Sequence, residues 1–389
     1  MAVDYADLTR KKSELQAAAD AAALVGARAL AASPATTHSG KEQDALARAS
    51  DFLRARAAGA QSKITPASAA RTVNVALSFS KPLLFGGIIG TPAMTVSAES
   101  QAAYSDQPGG CIVALGQTGP AGIALVGAAG FAASNCAVWS NKSGPGAIAT
   151  QGAAKITGRE VCAAGEVAGV NSSPPAKSHC GTAPDPYAGR TLKCGRNQDM
   201  SCETFKASAG QCDKTDYSVP RSNTPVTLTP GVYCGGLVIE KADVVLQPGF
   251  YQIQDGPLVI KGSPHVSGAN VSILLAGQGA VLDIQGSPSI DLSATSTGPM
   301  AGIAIGSVTP NAAPLTSVLL GSPSLTLKGT LYLPGQVLEM QGNPSLTLTG
   351  AADKALAYGF KLQGSPELVV KADDKAPQSV ATANLRLVK

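Results

Sequence analysis

Apolar and polar positions divide the chain into three regimes. In "ADLTRKKSELQAAADAAALVGARALAAS", Leu8, Leu15, Ala22 and Ala29 recur at every seventh position, which predicts a helix with a narrow stripe of mostly small residues on one face. Pro34 ends that helix, and Ser39 with Glu42 forms a capping-box pattern that opens a second one. Leu46, Ala49, Phe52 or Leu53, and Ala57 supply its apolar face, and Gly59 offers a stop. A short polar loop between two helices predicts a hairpin, assigned to residues 1–62. From Thr72 the period changes to two, with Val73, Val75 and Leu77, then Met94, Val96 and Ala98. Two such runs separated by Gly and Pro predict a small antiparallel β unit at 63–110.

Beyond Cys111 the pattern becomes a repeat. "GSPSLTLKG" at 321–329 is nearly rewritten as "GNPSLTLTG" at 342–350. Around Gly286 the apolar positions are Leu282, Ile284, Ile290 and Leu292; Gly342 and Gly364 keep the same offsets, and Gly262 and Gly321 keep part of them. An earlier pair, Ile123–Phe131 and Ile148–Ile156, shares the template about Gly127 and Gly152. Each unit reads as strand, sharp corner, strand. Glycine takes the positive φ of a corner, and proline, lacking an N–H, ends ladder pairing there. One unit cannot bury its apolar side alone, but units stacked at ~4.8 Å form a continuous core. The predicted class is mainly β with N-terminal α: an Ala-rich helical hairpin, a small antiparallel β unit, then a right-handed parallel β-helix with a disulfide-rich insertion. Its segments are 111–170 and 224–372, with a Cys-rich loop at 171–223 and a C-terminal tail at 373–389. The wide gap between Gly286 and Gly321 predicts an extra loop near "TPNAAPLT".

Composition sharpens this picture. With 43 glycines, 26 prolines and only 14% charged residues, the chain favours turn-rich β structure over helix. The net charge of +4 is spread without a Lys/Arg block, so nucleic acid is not an expected partner. Eight cysteines, Cys111, Cys136, Cys162, Cys180, Cys194, Cys202, Cys212 and Cys234, lack C-x-x-C spacing and read as disulfide candidates, hence an oxidising compartment. Cys111, Cys136 and Cys162 are one coil apart, so Cys136 pairs with one neighbour, Cys111 being favoured; the remaining connectivity is open. No signal peptide is evident, and runs such as "LLFGGIIG" at 83–90 are too short for a bilayer. Export without a signal leads to the expectation of a longer parent chain with an upstream membrane helix.

Candidate chemistry is sparse. Asp243, Asp255, Asp283 and Asp291 form no clustered pair, and no arginine lies between Arg221 and Arg386, which argues against a glycosidase or lyase. His38, His179 and His265 fall in separate segments, and His179 beside Cys180 reads as a neighbour of a disulfide rather than half a metal site. "DLSAT" at 291–295 approaches a D-x-S-x-S metal motif by coincidence. Gln285, Gln341 and Gln363 occupy one outward column, read as stacked amides along the axis, with glycan binding as the alternative. No catalytic, metal or cofactor residue is expected.

The stretch "AVDYADLTRKKSELQAAADAAALVGARAL", residues 2–30, resembles the segment after the membrane helix in TadG-like proteins of the Tad/Flp pilus-assembly system. More loosely, "LTPGVYCGGLVIEKADVVLQPGFYQI" and "STGPMAGIAIG" resemble the β-rich extracytoplasmic part of some members. The resemblance implies a pilin-like or pseudopilin-like envelope protein, docking through residues 1–60 to other pilus subunits and minor pseudopilins. It implies a periplasmic or cell-surface location, inner-membrane anchored through the upstream helix of a longer chain. The von Willebrand domain of other TadG-like proteins is absent. A surface glycan is the alternative partner, and a polysaccharide-degrading enzyme a third reading.

Overall fold

The computed structural model describes residues 2–33, 35, 37–83, 93–103, 110–120, 122–167, 169–188, 190–202, 205–206, 210–308, 314–350, 352–371 and 386–388. The chain is mainly β and divides into two compact units, residues 1–107 with 378–389, and residues 108–377.

In the first unit, helix α1 (Ala2–Ala32) and helix α2 (His38–Arg56) pack on strands β1 (Gln61–Ala67), β2 (Thr72–Pro82) and β3 (Ala93–Ala103). Leu15, Ala19, Ala22, Ala23, Ala27 and Leu30 are buried, a spacing of three and four that makes a wider face than the sevenfold stripe. Small residues let α1 lie close to the sheet: a Cβ on Gly26 would stand 2.9 Å from Val73 Cγ1. The N-cap of α2 is Thr37, whose side chain accepts from Gly40 N, rather than the Ser39 capping box; Glu42 instead accepts from Ser68. The buried face of α2 is Ala45, Ala49 and Leu53, leaving Leu46 42% exposed. The sheet is antiparallel, with Val73, Val75 and Leu77 opposite Ala102, Ser100 and Ala98, while Met94 is exposed. Within the segment expected as a tail, Arg386–Val388 is a further strand paired with β3. Helices and strands, read as separate segments in the sequence, thus share one core.

The second unit is built of parallel ladders. Face A carries Leu258–Gly262, Leu282–Gly286 and Leu315–Gly321, continued by the ends of Thr330–Gly342 and Ala355–Gly364 and by Gly122–Gly127 and Ile148–Gly152. Face B is a ten-stranded sheet from Val226–Leu228 to Ser172–Ser173. Face C contains Gly249–Gln254, Val271–Ala276, Ile303–Ser307, Gly110–Ala114, Ala137–Ser140 and Glu160–Ala163. Long strands such as Thr330–Gly342 bend at an interruption of register, Leu333 to Val337, and serve faces A and C together. Faces A and C therefore form one fifteen-stranded sheet whose pairings close on themselves. At ~4.8 Å per coil, ten levels extend roughly 45 Å.

The corners explain the repeat. Gly262, Gly286, Gly321, Gly342, Gly364, Gly127 and Gly152 stand in one file, each in register with the next. All have positive φ, from +78° to +101°. The carbonyls of Gly262, Gly286, Gly321, Gly342 and Gly364 each accept from the next coil, as Asn343 N donates to Gly321 O at 2.7 Å. A Cβ on Gly342 would lie 2.5 Å from that same oxygen, so the file demands glycine by close approach as well as by φ. Residues 309–313 of the expected extra loop lie outside the described residues.

Stacking order departs from chain order. The coil at 355–371 is followed not by a free end but by residues 110–134: Gly364 pairs with Gly127, and Leu368 with Phe131. The first segment, 110–180, thus sits beyond the last one, and both chain ends of this unit meet at a seam inside the stack. Phe131 and Phe360 join across it edge to face at 5.5 Å.

The Cys-rich stretch is no free loop. Ser172–Ser173 extends face B, and the following segment runs as a strap over the outside of face C. Ala183, Leu192, Cys194 and Phe205 are buried against Trp139, Leu274, Ile303, Tyr332 and Leu356. Four disulfides, Cys111–Cys136, Cys162–Cys180, Cys194–Cys202 and Cys212–Cys234, have Cα separations of 4.9–6.0 Å. The second and fourth clamp the two ends of the strap to the coils. All eight cysteines are paired, which favours an oxidising, extracytoplasmic compartment. No described helix is long and apolar enough to cross a membrane.

Candidate functional site

Each face of the second unit offers different chemistry. On face A the outward side chains neutralise one another. Lys261 pairs with Asp283 at 3.3 Å and Lys361 with Glu339 at 3.1 Å. The glutamines do not stack along the axis as the sequence suggested: Gln285 Nε2 donates to Asp283 Oδ1 at 2.6 Å, and Gln341 Nε2 to Glu339. Leu320 stands between Gln285 and Gln341 in the register, which breaks the column.

Face C is sealed by the strap. Asn141 Nδ2 donates to Ala183 O at 2.8 Å while its Oδ1 accepts from Ala183 N at 2.7 Å. Tyr332 Oη donates to Asp185 Oδ2 at 2.9 Å, Tyr187 and Thr330 share a hydrogen bond of 3.1 Å, and Gln252 Oε1 accepts from Gly195 N at 2.7 Å. Burial pushes the Tyr332 phenol far up, with the Asp185 charge adding to it. These groups fasten the strap to face C.

Face B is open and, among the described residues, without the ion pairs of face A or the strap of face C. Its outward positions run Val245, Ser267, Asp291, Thr326 and Thr347 along five successive coils. A groove of about 570 Å³ follows the first four, lined also by Pro248, Gly268, Ala269, Ser293, Lys328 and Thr349. Between the coils lies a gap of about 20 Å³ walled by apolar side chains and Tyr251. Burial pushes the Tyr233 phenol, which donates to Thr229 O, up to about 12.

The candidate acids are dispersed. Asp243 Oδ1 accepts from His265 N at 2.7 Å, and Asp255 Oδ1 accepts from Gln278 N at 2.8 Å. Asp283 lies on face A and Asp291 on face B. In "DLSAT", Ser293 Oγ accepts from Asn270 N and Thr295 Oγ1 bonds Ser272 Oγ at 2.9 Å, so the three oxygens do not converge. His179 follows the strap's first turn beside the Cys162–Cys180 bridge. No group of three His, Cys, Asp or Glu among the described residues is arranged to hold a metal ion.

Two polar clusters escaped sequence reasoning. In the first unit, Ser68 Oγ donates to Glu42 Oε1 at 2.8 Å and stands 2.8 Å from His38 Nδ1, while Ser68 N also donates to Glu42. The single hydroxyl proton faces the carboxylate, so His38 is the donor to Ser68. The carboxylate thereby holds a β turn to the start of α2, and Ser68, only 6% exposed, is a poor nucleophile. In the second unit, half-buried Asp353 accepts from Gly329 N at 2.7 Å and Gly350 N at 2.6 Å, and desolvation raises its pKa. Apart from Gly350 and Asp353, the partners lie 24 to 30 residues apart and leave no local motif to read.

No protein-family model, curated protein or solved structure matches the chain.

Proposed function

We propose that the chain is a structural component of a Tad (Flp) pilus system in the bacterial envelope, a TadG-like, pseudopilin-like minor or tip subunit. On this reading residues 1–60 dock to other pilus components, and an upstream helix of a longer parent chain anchors it in the inner membrane. The parallel coils wind as a right-handed β-helix, the hand taken by nearly all parallel crossovers. The observation that carries the reading is that residues 2–30, the stretch with Tad wording, fall within one 31-residue helix, α1. Its small-residue stripe is packed within its own unit, so docking falls to the outward flank around Ala17 and Arg28. Non-enzymatic use is supported by the repeat itself, whose glycines, prolines and apolar residues serve corners and core while face A pairs off its charges.

Deleting the gene tests this. Loss or alteration of pili, with tagged protein found on sheared fibres or in the membrane fraction, is the expected result. Normal piliation together with normal attachment refutes it. A second reading, an envelope glycan-binding or adhesion module, is favoured by the open groove on face B.

A further inference from the structure

We infer that the groove on face B binds a neutral, extended polysaccharide lying along the stacking axis, with Asp291, Thr326 and Ser267 as its hydrogen-bonding floor. The inference deepens the reading of the chain as an envelope surface protein and rests on it.

Three observations lead to this ligand class. First, face B carries neither the ion pairs of face A nor the strap that covers face C. Second, its polar groups are waiting. Asp291, Thr326 and Ser267 make no side-chain hydrogen bond or ion pair among the described residues, whereas Asp243, Asp255, Asp283 and Asp353 are all engaged. A carboxylate between hydroxyls can accept from two neighbouring sugar hydroxyls, and exposed Val245 (41%) and Pro248 supply apolar surface for the C–H side of a ring. Third, the groove has the right dimensions. Gly268 and Ala269 leave the wall low, and five coils at ~4.8 Å give roughly 20 Å of repeating floor. That repeat is close to the length of one extended hexopyranose unit, so successive coils meet successive sugars. One acid and one lysine line the groove, so its local charge is balanced, which favours a neutral chain over an anionic one.

The test uses the full chain with its disulfides intact and titrates it calorimetrically with linear hexasaccharides: β-1,4-, β-1,3- and α-1,4-linked glucose, and an oligogalacturonate as the anionic comparison. At least one neutral hexamer is expected to bind saturably. Asp291→Ala, which removes the carboxylate, and Ala269→Trp, which fills the groove from an exposed position, should each weaken it about ten-fold or more. Lys361→Ala on face A should leave it unchanged. Matching thermal melts establish that the variants are folded. Failure of every neutral hexamer to bind at millimolar concentration, preference for the anionic one, or undiminished binding by the folded variants overturns the inference. Fractionation of the same variants with pili is expected to stay as in the wild type, so either reading can fall without the other.

Discussion

Replacing Gly342 by alanine isolates what the corner file contributes. Gly342 has φ +93°, and the added Cβ would lie 2.5 Å from Gly321 O, a backbone oxygen that already accepts from Asn343 N at 2.7 Å. Holding alanine in the left-handed region costs about 1–2 kcal/mol. Relieving the contact means moving a carbonyl locked in the ladder, at the cost of roughly one backbone hydrogen bond, about 1 kcal/mol, and some core register below it. The sum is about 3 kcal/mol. Gly279 supplies the control: its φ is +66°, but nothing lies within 4 Å of its added Cβ. Gly279→Ala should therefore cost only the conformational part, about 1 kcal/mol. Followed by circular dichroism with disulfides intact, the melting transition of the second unit should fall by about 6 °C for Gly342→Ala and about 2 °C for Gly279→Ala. Equal shifts in the two variants would refute close stacking of the corners and leave φ alone as the reason for glycine.

Other outcomes follow from the strap and the first unit. Removing the Cys162–Cys180 bridge by paired serine substitution should lower stability by about 3 kcal/mol, read by urea unfolding. Tyr332→Phe deprives Asp185 of its donor from the coils, leaving only the local Tyr187 N–H, and trypsin should then cut at exposed Arg190 and Arg196 several-fold faster while the coils stay intact on a gel. Glu42 is held below its ordinary pKa by the backbone and hydroxyl donors of Ser68, and Asp7 by Lys81 and then Arg10. Depressed carboxyls stabilise the folded unit above their unfolded values, near about pH 4, and that contribution disappears as pH falls through the folded values. The melting point of the first unit should decline on acidification through this window, and Glu42→Gln should flatten the decline.

The corner glycines were legible because each carries its flanking alternation, so Leu338, Met340, Leu346 and Leu348 announce their inward side before any coordinates exist. Stacking order was not, because every coil presents the same kind of edge. Gly127 would fit on Gly364 or on another coil by pattern alone. The strap was missed for a different reason: Ala183, Leu192 and Phe205 follow no period. Its signal lay opposite, in the unbroken apolar runs "CIVA" and "VSILLA", which mark strands buried on both sides. The glutamine column failed at Leu320, whose register depends on the length of the preceding loop. The groove on face B was invisible because it arises from small residues, Ser267 and Gly268, beside larger neighbours on adjacent coils.

The seam also decides where a mechanical load would travel. Under the proposed pilus role the protein would be pulled through its chain, which enters this unit at residue 110 and leaves at residue 371, on touching coils. Tension between those points never runs the length of the stack. The entry strand is riveted to the coil behind it by Cys111–Cys136, whereas no disulfide crosses from 355–371 to 110–134. The ladders joining Ala355–Gly364 and Glu367–Lys371 to their neighbours are therefore the fuse, and all other coils are shielded from the force until those bonds part.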